Sequence, residues 1–311
     1  MRCAMAVPAT PTAPSKARVF VRRAGSTVAL WGMVGLAFAS MRAWAYLGLI
    51  VLLTVVATRE YFQMLWAAGV KCFPRFGLGL AMVYCGVLHA GFFRGPGEML
   101  VGWDLFAIAV SLGGAFVLQL RDPIRGLESM VAVMVTLGGF VYIAVLFNFA
   151  AKLLVVVPGW QVISGKVALP AAVLLLWLLA VTKFTDMGAY IVGSMIGRHK
   201  MIPHVSPAKT WEGLGGALLF SQVAGCGLFA LLPRQLAVLG GWGHVVFLGF
   251  ILALLAVLGD LAESVVKRAL RAKDSGRMLP GIGGALDLID SICFTAPALY
   301  FYLQWVLLPA S

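Results

Sequence analysis

Residues 242–291 read W-G-H-V-V-F-L-G-F-I-L-A-L-L-A-V-L-G and then D-L-A-E-S-V-V-K-R-A-L-R-A-K-D-S-G-R-M-L-P-G-I-G-G-A-L-D-L-I-D-S. The first part, 242–259, carries no carboxylate, lysine or arginine. A helix of about 20 such residues crosses a hydrocarbon core about 30 Å thick. Its hydrophobicity is continuous rather than alternating, which selects a membrane helix over a barrel strand. The second part is the opposite. Gly259–Ser291 holds four aspartates, one glutamate and five cations, in a chain of which only 12% is charged. Ionisable groups held against a membrane are costly, and they mark function.

The same oily pattern recurs along the chain. At 61% hydrophobic residues and a mean hydropathy of +0.97, the composition excludes a soluble globular domain. Nine spans are expected, at 26–40, 43–66, 77–94, 104–121, 130–156, 166–185, 213–232, 242–259 and 291–309. The fold class is therefore an all-α polytopic membrane protein. It divides into a basic, disordered tail (1–25), N-terminal membrane helices (26–165) and a C-terminal membrane catalytic region (166–311). Lysines and arginines concentrate in 1–25, 67–76, 121–129, 186–212 and 260–290. Positive-inside counting then puts the N-terminus and both polar segments on the cytoplasmic face. The net charge of +12 flanks apolar runs, so topology and anionic headgroups or nucleotides account for it, and nucleic acid is not expected as a partner. The cysteines, Cys3, Cys72, Cys85, Cys226 and Cys293, lack metal-ligand spacing, and the four in or beside apolar runs read as small hydrophobes.

Within the C-terminal polar stretch, Asp260, Glu263, Ser264 and Lys267 fall at i, i+3, i+4 and i+7, on one helix face. Asp287 and Asp290 fall at i and i+3. Between them, Leu279 to Gly284 is too rich in Pro and Gly for a helix interior. Carboxylates on two helix ends joined by a basic loop suit Mg²⁺ and the phosphates it binds. The competing reading is a structural ion-pair network with Lys267, Arg268 and Lys273. A second polar segment, Thr182 to Gly213, places Asp186 directly after an apolar run. It then offers Ser206, Lys209, Thr210 and Glu212 close to an expected helix start, where free N–H groups and a cation suit phosphate. A plain capped helix start explains that segment equally well. His199, His204 and His89 read as interfacial or packed side chains rather than metal ligands.

These residues resemble the phosphatidate cytidylyltransferases, also called CDP-diacylglycerol synthases. The resemblance lies in S-x-x-K-R (Ser264, Lys267, Arg268), then Lys273-Asp274, and then a P-G-H-G-G-x-x-D-R-x-D ending matched by Pro280, Gly281, Gly283, Gly284, Asp287 and Asp290. Gly259-Asp260 and the Ser206 to Gly213 run also fit, and the similarity covers about residues 180–300. Two departures stand out: Ile282 replaces the family's His and Leu288 its Arg.

The resemblance implies cytidylyl transfer from CTP to phosphatidate in the bacterial inner membrane, with the active site on the cytoplasmic face. It implies one or two Mg²⁺ ions on Asp260, Asp287 and Asp290, with a monovalent ion also allowed. Lys267, Arg268, Lys273 and Asp274 are the expected catalytic residues. Asp186, Ser206, Lys209, Thr210, Glu212 and Ser264 are the expected substrate-binding ones. Membrane lipids surround the chain, and a homodimer is compatible with the pattern. The rival readings are a CTP-dependent polyprenol kinase, which transfers the γ-phosphoryl group instead, an ion-coupled transporter, and a scaffold without catalysis.

Overall fold

The computed structural model describes residues 32–94, 99–157, 159–160, 162–272, 275–276 and 283–308. Eight helices are α1 (Ala43–Ala67), α2 (Pro74–Arg94), α3 (Met99–Gln119), α4 (Leu127–Gly139), α5 (Leu169–Ile196), α6 (Trp211–Leu231), α7 (Trp242–Ala269) and α8 (Ala285–Tyr302). Among the described residues, eight helical stretches are long and apolar enough to cross a membrane. In lipid the backbone must satisfy its own hydrogen bonds, so such runs have little choice but to be helical. The chain is an integral membrane protein. Of the first expected span, 26–40, residues 32–40 are helical and 26–31 lie outside the described residues.

Three features depart from expectation. α5 and α7 run on to Ile196 and Ala269, about ten residues past the expected apolar limits. Asp186 therefore rides on the last turns of a membrane helix, and the Asp260–Arg268 face, expected to be helical, is continuous with another. α4 continues through a π-helical turn, Phe140–Val145, so the expected span 130–156 is not one regular helix. The all-α expectation misses a short antiparallel hairpin of β1 (Lys200–Ile202) and β2 (Ser206–Thr210). The Pro203 turn between the strands and Pro207 inside β2 both oppose helix. Ser206 and Lys209, expected near a helix start, lie on the strand of this hairpin that leads directly into α6.

Backbone approach sets the packing of the C-terminal half. A Cβ on Gly188 of α5 would sit 2.5 Å from the Gly216 carbonyl oxygen of α6, so only glycine permits this crossing. Gly259 plays the same part between α7 and α8: a Cβ there would stand 2.6 Å from the Asp290 carbonyl oxygen. The fully buried Trp177 fixes α5 further, its indole N–H donating to the Gly225 carbonyl of α6 at 2.9 Å.

In the N-terminal half, α3 and the segment after α4 are joined by a buried ion pair, Lys152 with Asp104. The Tyr84 hydroxyl donates to Asp104 at 2.7 Å, and the Lys152 ammonium lies 4.1 Å from the Phe149 ring centre. Nearby, Asn148 pairs with His89 at 3.0 Å. His89 is thus packed and hydrogen-bonded, as its place in an apolar run suggests.

Candidate active site

The polar ends of α5, α7 and α8 meet beside the hairpin. On α7, Asp260 and Glu263 are one turn apart. Asp290 of α8 is brought against them by the Gly259 contact. One carboxylate oxygen from each of Asp260, Glu263 and Asp290 lies within 4.8 Å of the others. Glu263 and Asp290 are buried, and Asp260 is partly open. The Glu263 Oε1 atom is buried with no hydrogen-bond partner among the described residues. Three converging carboxylates with an orphaned buried oxygen are the donor set a hard divalent cation requires.

Asp287, the other carboxylate expected to bind metal, has protein partners. It lies in the first turn of α8, where its Oδ2 accepts from the Gly284 N–H at 2.6 Å and from the Ser275 hydroxyl at 2.5 Å. The Lys267 ammonium bridges it to the acidic group, 2.8 Å from Asp287 Oδ1 and 2.6 Å from Glu263 Oε2. Asp287 thus orients both the helix start and the lysine.

The hairpin closes the site. Lys209 of β2 pairs with Asp260 at 2.7 Å and donates to the Val257 carbonyl at 3.1 Å. Thr210 caps α6, its hydroxyl oxygen accepting from the Gly213 N–H at 3.1 Å. Glu212 accepts from the backbone N–H groups of Arg198 and His199 at 3.2 Å, and its Oε1 lies 2.5 Å from the His199 ring nitrogen. It holds the base of the hairpin rather than facing a ligand. Arg268 reaches the Val205 carbonyl in the turn at 3.3 Å. Asp186 pairs with Lys183 at 3.3 Å. Ser264 follows Glu263 on α7 and is half-buried. Asp186, Ser206, Lys209, Thr210 and Asp260 line one cleft of about 450 Å³. The expected catalytic residues Lys273 and Asp274 lie outside the described residues, as does Ile282.

Sequence reasoning passed over three contributors. Glu60 of α1, buried at 4% exposure, accepts from the Leu286 N–H at 3.1 Å and so clamps the start of α8 from 226 residues away. Glu263 had been noted only as a member of a helix face. Tyr142, on the π-helical turn, has a buried hydroxyl without a partner among the described residues, within electrostatic reach of Asp260, Glu263 and Asp290. No sequence signal marks Tyr142, because the π-turn that carries it, of a kind that clusters at functional sites, is visible only in the fold.

The profile of the cytidylyltransferase family matches residues 21–306. The chain is 32% identical to the uncharacterized protein YnbB of Escherichia coli over 215 residues, 67% of each chain. It is 46% identical to the phosphatidate cytidylyltransferase of Brucella suis over 129 residues, 41% of this chain and 46% of that one. To the phosphatidate cytidylyltransferase of Mycobacterium bovis it is 41% identical over 120 residues, 38% of this chain and 37% of that one. The matched segment spans less than half the length of those two relatives. With a profile match running nearly end to end around the acidic group, the chain belongs to the cytidylyltransferase family, a family of nucleotidyltransferases.

Proposed function

We propose that this protein transfers the cytidylyl group of CTP to phosphatidate, giving CDP-diacylglycerol and pyrophosphate on the cytoplasmic face of a bacterial inner membrane. The observation that carries the reading is the convergence of Asp260, Glu263 and Asp290 beside a cation-rimmed cleft at the end of three membrane helices. A water-soluble nucleotide and a membrane-held acceptor meet only at such a boundary.

In the reaction, a phosphate oxygen of phosphatidate forms a bond to the α-phosphorus of CTP. The bond from that phosphorus to the bridging oxygen breaks, and pyrophosphate leaves with the electron pair. Phosphatidate is already anionic, so no general base is required. The protein's task is alignment and charge neutralisation. Asp260, Glu263 and Asp290 would hold a divalent cation, with Mg²⁺ the natural choice for all-oxygen ligands, and such an ion would supply charge neutralisation to the phosphates of the nucleotide. Lys267 keeps one N–H for a phosphate oxygen while Glu263 and Asp287 hold its other two in place. Lys209 stands over the cleft with Asp260 as its counter-ion, ready to turn to an incoming phosphate. Asp186 and Ser206 supply polar wall, while Thr210 and Glu212 hold that wall in shape. Lys273 is assigned to phosphate binding by its place in the family motif alone.

The test is turnover of purified protein with labelled CTP, phosphatidate and Mg²⁺. Mg²⁺-dependent CDP-diacylglycerol plus pyrophosphate is expected. CDP as the nucleotide product, with a phosphorylated lipid, would overturn the reading in favour of a lipid kinase.

A further inference from the structure

A second cavity, of about 240 Å³, shares α8 with the acidic group, since Leu288, Ile289 and Ile292 line it while Asp290 belongs to the group. Its walls come from residues 34–38, from α1 (Tyr46, Leu49, Ile50, Leu53), from α5 and from α8 (Leu288, Ile289, Ile292). Among the described residues, and apart from the Tyr46 ring with its hydroxyl, the lining is aliphatic or aromatic carbon, with one exception. That exception is the ammonium-bearing Lys183.

The placement of Lys183 is specific. It lies on α5 one turn before Asp186, which lines the polar cleft, and the two pair at 3.3 Å with Lys183 still 28% exposed. Helix α5 therefore walls both chambers. On α8, Leu288, Ile289 and Ile292 face the apolar cavity while Asp290 faces the metal-binding group. On α5, Lys183 faces the cavity and Asp186 the cleft. A lone lysine against hydrocarbon is expensive unless it meets an anion. Asp186 takes one of its N–H groups at 3.3 Å, which leaves two for a further anion. Leu288 stands where the sequence motif has arginine and keeps its own stretch of wall apolar, so the lysine is the cavity's cation.

We propose that this cavity holds an acyl chain of the acceptor lipid and that Lys183 binds the lipid's phosphate, presenting it to the cleft where the nucleotide lies. The inference rests on the cytidylyl-transfer reading and deepens it. Lys183 is the substrate's electrostatic anchor, and the cavity depth limits the chain that fits beneath it. An ammonium–phosphate contact is a charge-assisted hydrogen bond at the edge of hydrocarbon, where it is stronger than in water.

The experiment measures KM separately for phosphatidate and for CTP. Lys183→Met keeps the apolar stem and removes the charge. It is expected to raise KM for phosphatidate about tenfold or more, with KM for CTP within about twofold. Lys183→Arg should restore most of the loss. Ala150→Phe, which fills the cavity from its far wall, should shift preference toward shorter acyl chains. A phosphatidate carrying a diazirine in its acyl chain gives a readout that needs no turnover. It should label peptides containing residues 46–53 and 175–183 in wild type, and less of them in Lys183→Met. Normal KM for phosphatidate in a folded Lys183→Met, or labelling confined to other helices, overturns the proposal even if the enzyme turns over. Cavity labelling without any CDP-diacylglycerol would instead break the functional reading and leave the lipid site standing.

Discussion

Among the described residues, two charge groups are wholly or partly buried at the helix contacts of the two halves, and they are built in opposite ways. In the N-terminal half, Asp104 and Lys152 neutralise each other, and Tyr84 and the Phe149 ring complete their surroundings. In the C-terminal half, five carboxylates, Asp186, Asp260, Glu263, Asp287 and Asp290, face three lysines among the described residues, Lys183, Lys209 and Lys267. One oxygen, Glu263 Oε1, has no hydrogen-bond partner among those residues. A buried pair of equal and opposite charges closes on itself and ties helices together. A group with surplus negative charge is complete only with a cation from outside. Burial of charge alone does not mark the active site; imbalance of charge does.

The comparison is broken most severely by removing the surplus. Asp290→Asn should lower kcat about a hundredfold or more, because the ligand set loses a buried charge. Its thermal unfolding should stay close to wild type, since the replacement relieves repulsion among carboxylates. Near-normal turnover would show that the acidic group is not the metal site.

Next comes the balanced pair. Asp104→Asn strands the Lys152 charge and should cost about 3–5 kcal/mol in a denaturation assay. The double replacement Asp104→Leu with Lys152→Met should recover most of that loss. Turnover per folded molecule should be unchanged in both. A specific loss of kcat would mean the N-terminal pair is part of the catalytic machinery.

A smaller effect isolates geometry from charge. Gly259→Ala places a methyl where the Asp290 carbonyl now lies 2.6 Å away, and overpacking of this kind costs about 1–3 kcal/mol. Because the shift is centred on Asp290, the affinity for Mg²⁺ should fall more than the KM for CTP rises. Equal changes in both would locate the damage elsewhere.

The smallest effect is expected outside the membrane spans, at the Lys71–Asp122 pair, 2.8 Å apart between the helix ends. The Lys71 ammonium beside Asp122 holds its carboxyl below the ordinary value. A depressed carboxyl contributes stability above its unfolded pKa and loses it as the pH falls through the folded one. Lys71→Ala should therefore change unfolding very little at neutral pH and not at all once the carboxyl is protonated. A large change at neutral pH would mean that surface charge matters more to this fold than the buried pairs do.

How far the sequence discloses this arrangement depends on distance along the chain. The membrane helices are legible because their apolar runs are continuous. The face of Asp260, Glu263 and Lys267 is legible because helical spacing puts them together. Asp287 and Asp290 share spacing but not fate. Three residues of helix separate them by about 60° around the axis, enough to turn one toward Lys267 and Ser275 and the other toward Asp260 and Glu263. Such a divergence is set by which neighbours pack nearby, and spacing cannot express it. Glu60 is harder still: beside Arg59 at the end of an apolar run, it looks like a membrane-edge charge, and only the fold brings it to Leu286. Lys183 carries no signal within the Thr182 to Gly213 segment, because the cavity that gives it meaning is built from five separate stretches of chain.

The most direct test of the central contrast is Mn²⁺ binding, followed by electron paramagnetic resonance on purified wild type, Glu263→Gln and Asp104→Asn. Wild type and Asp104→Asn should bind the ion with the same affinity and release it to excess Mg²⁺, while Glu263→Gln should bind at least about tenfold more weakly. Equal binding by all three proteins, or a loss confined to Asp104→Asn, would contradict the account.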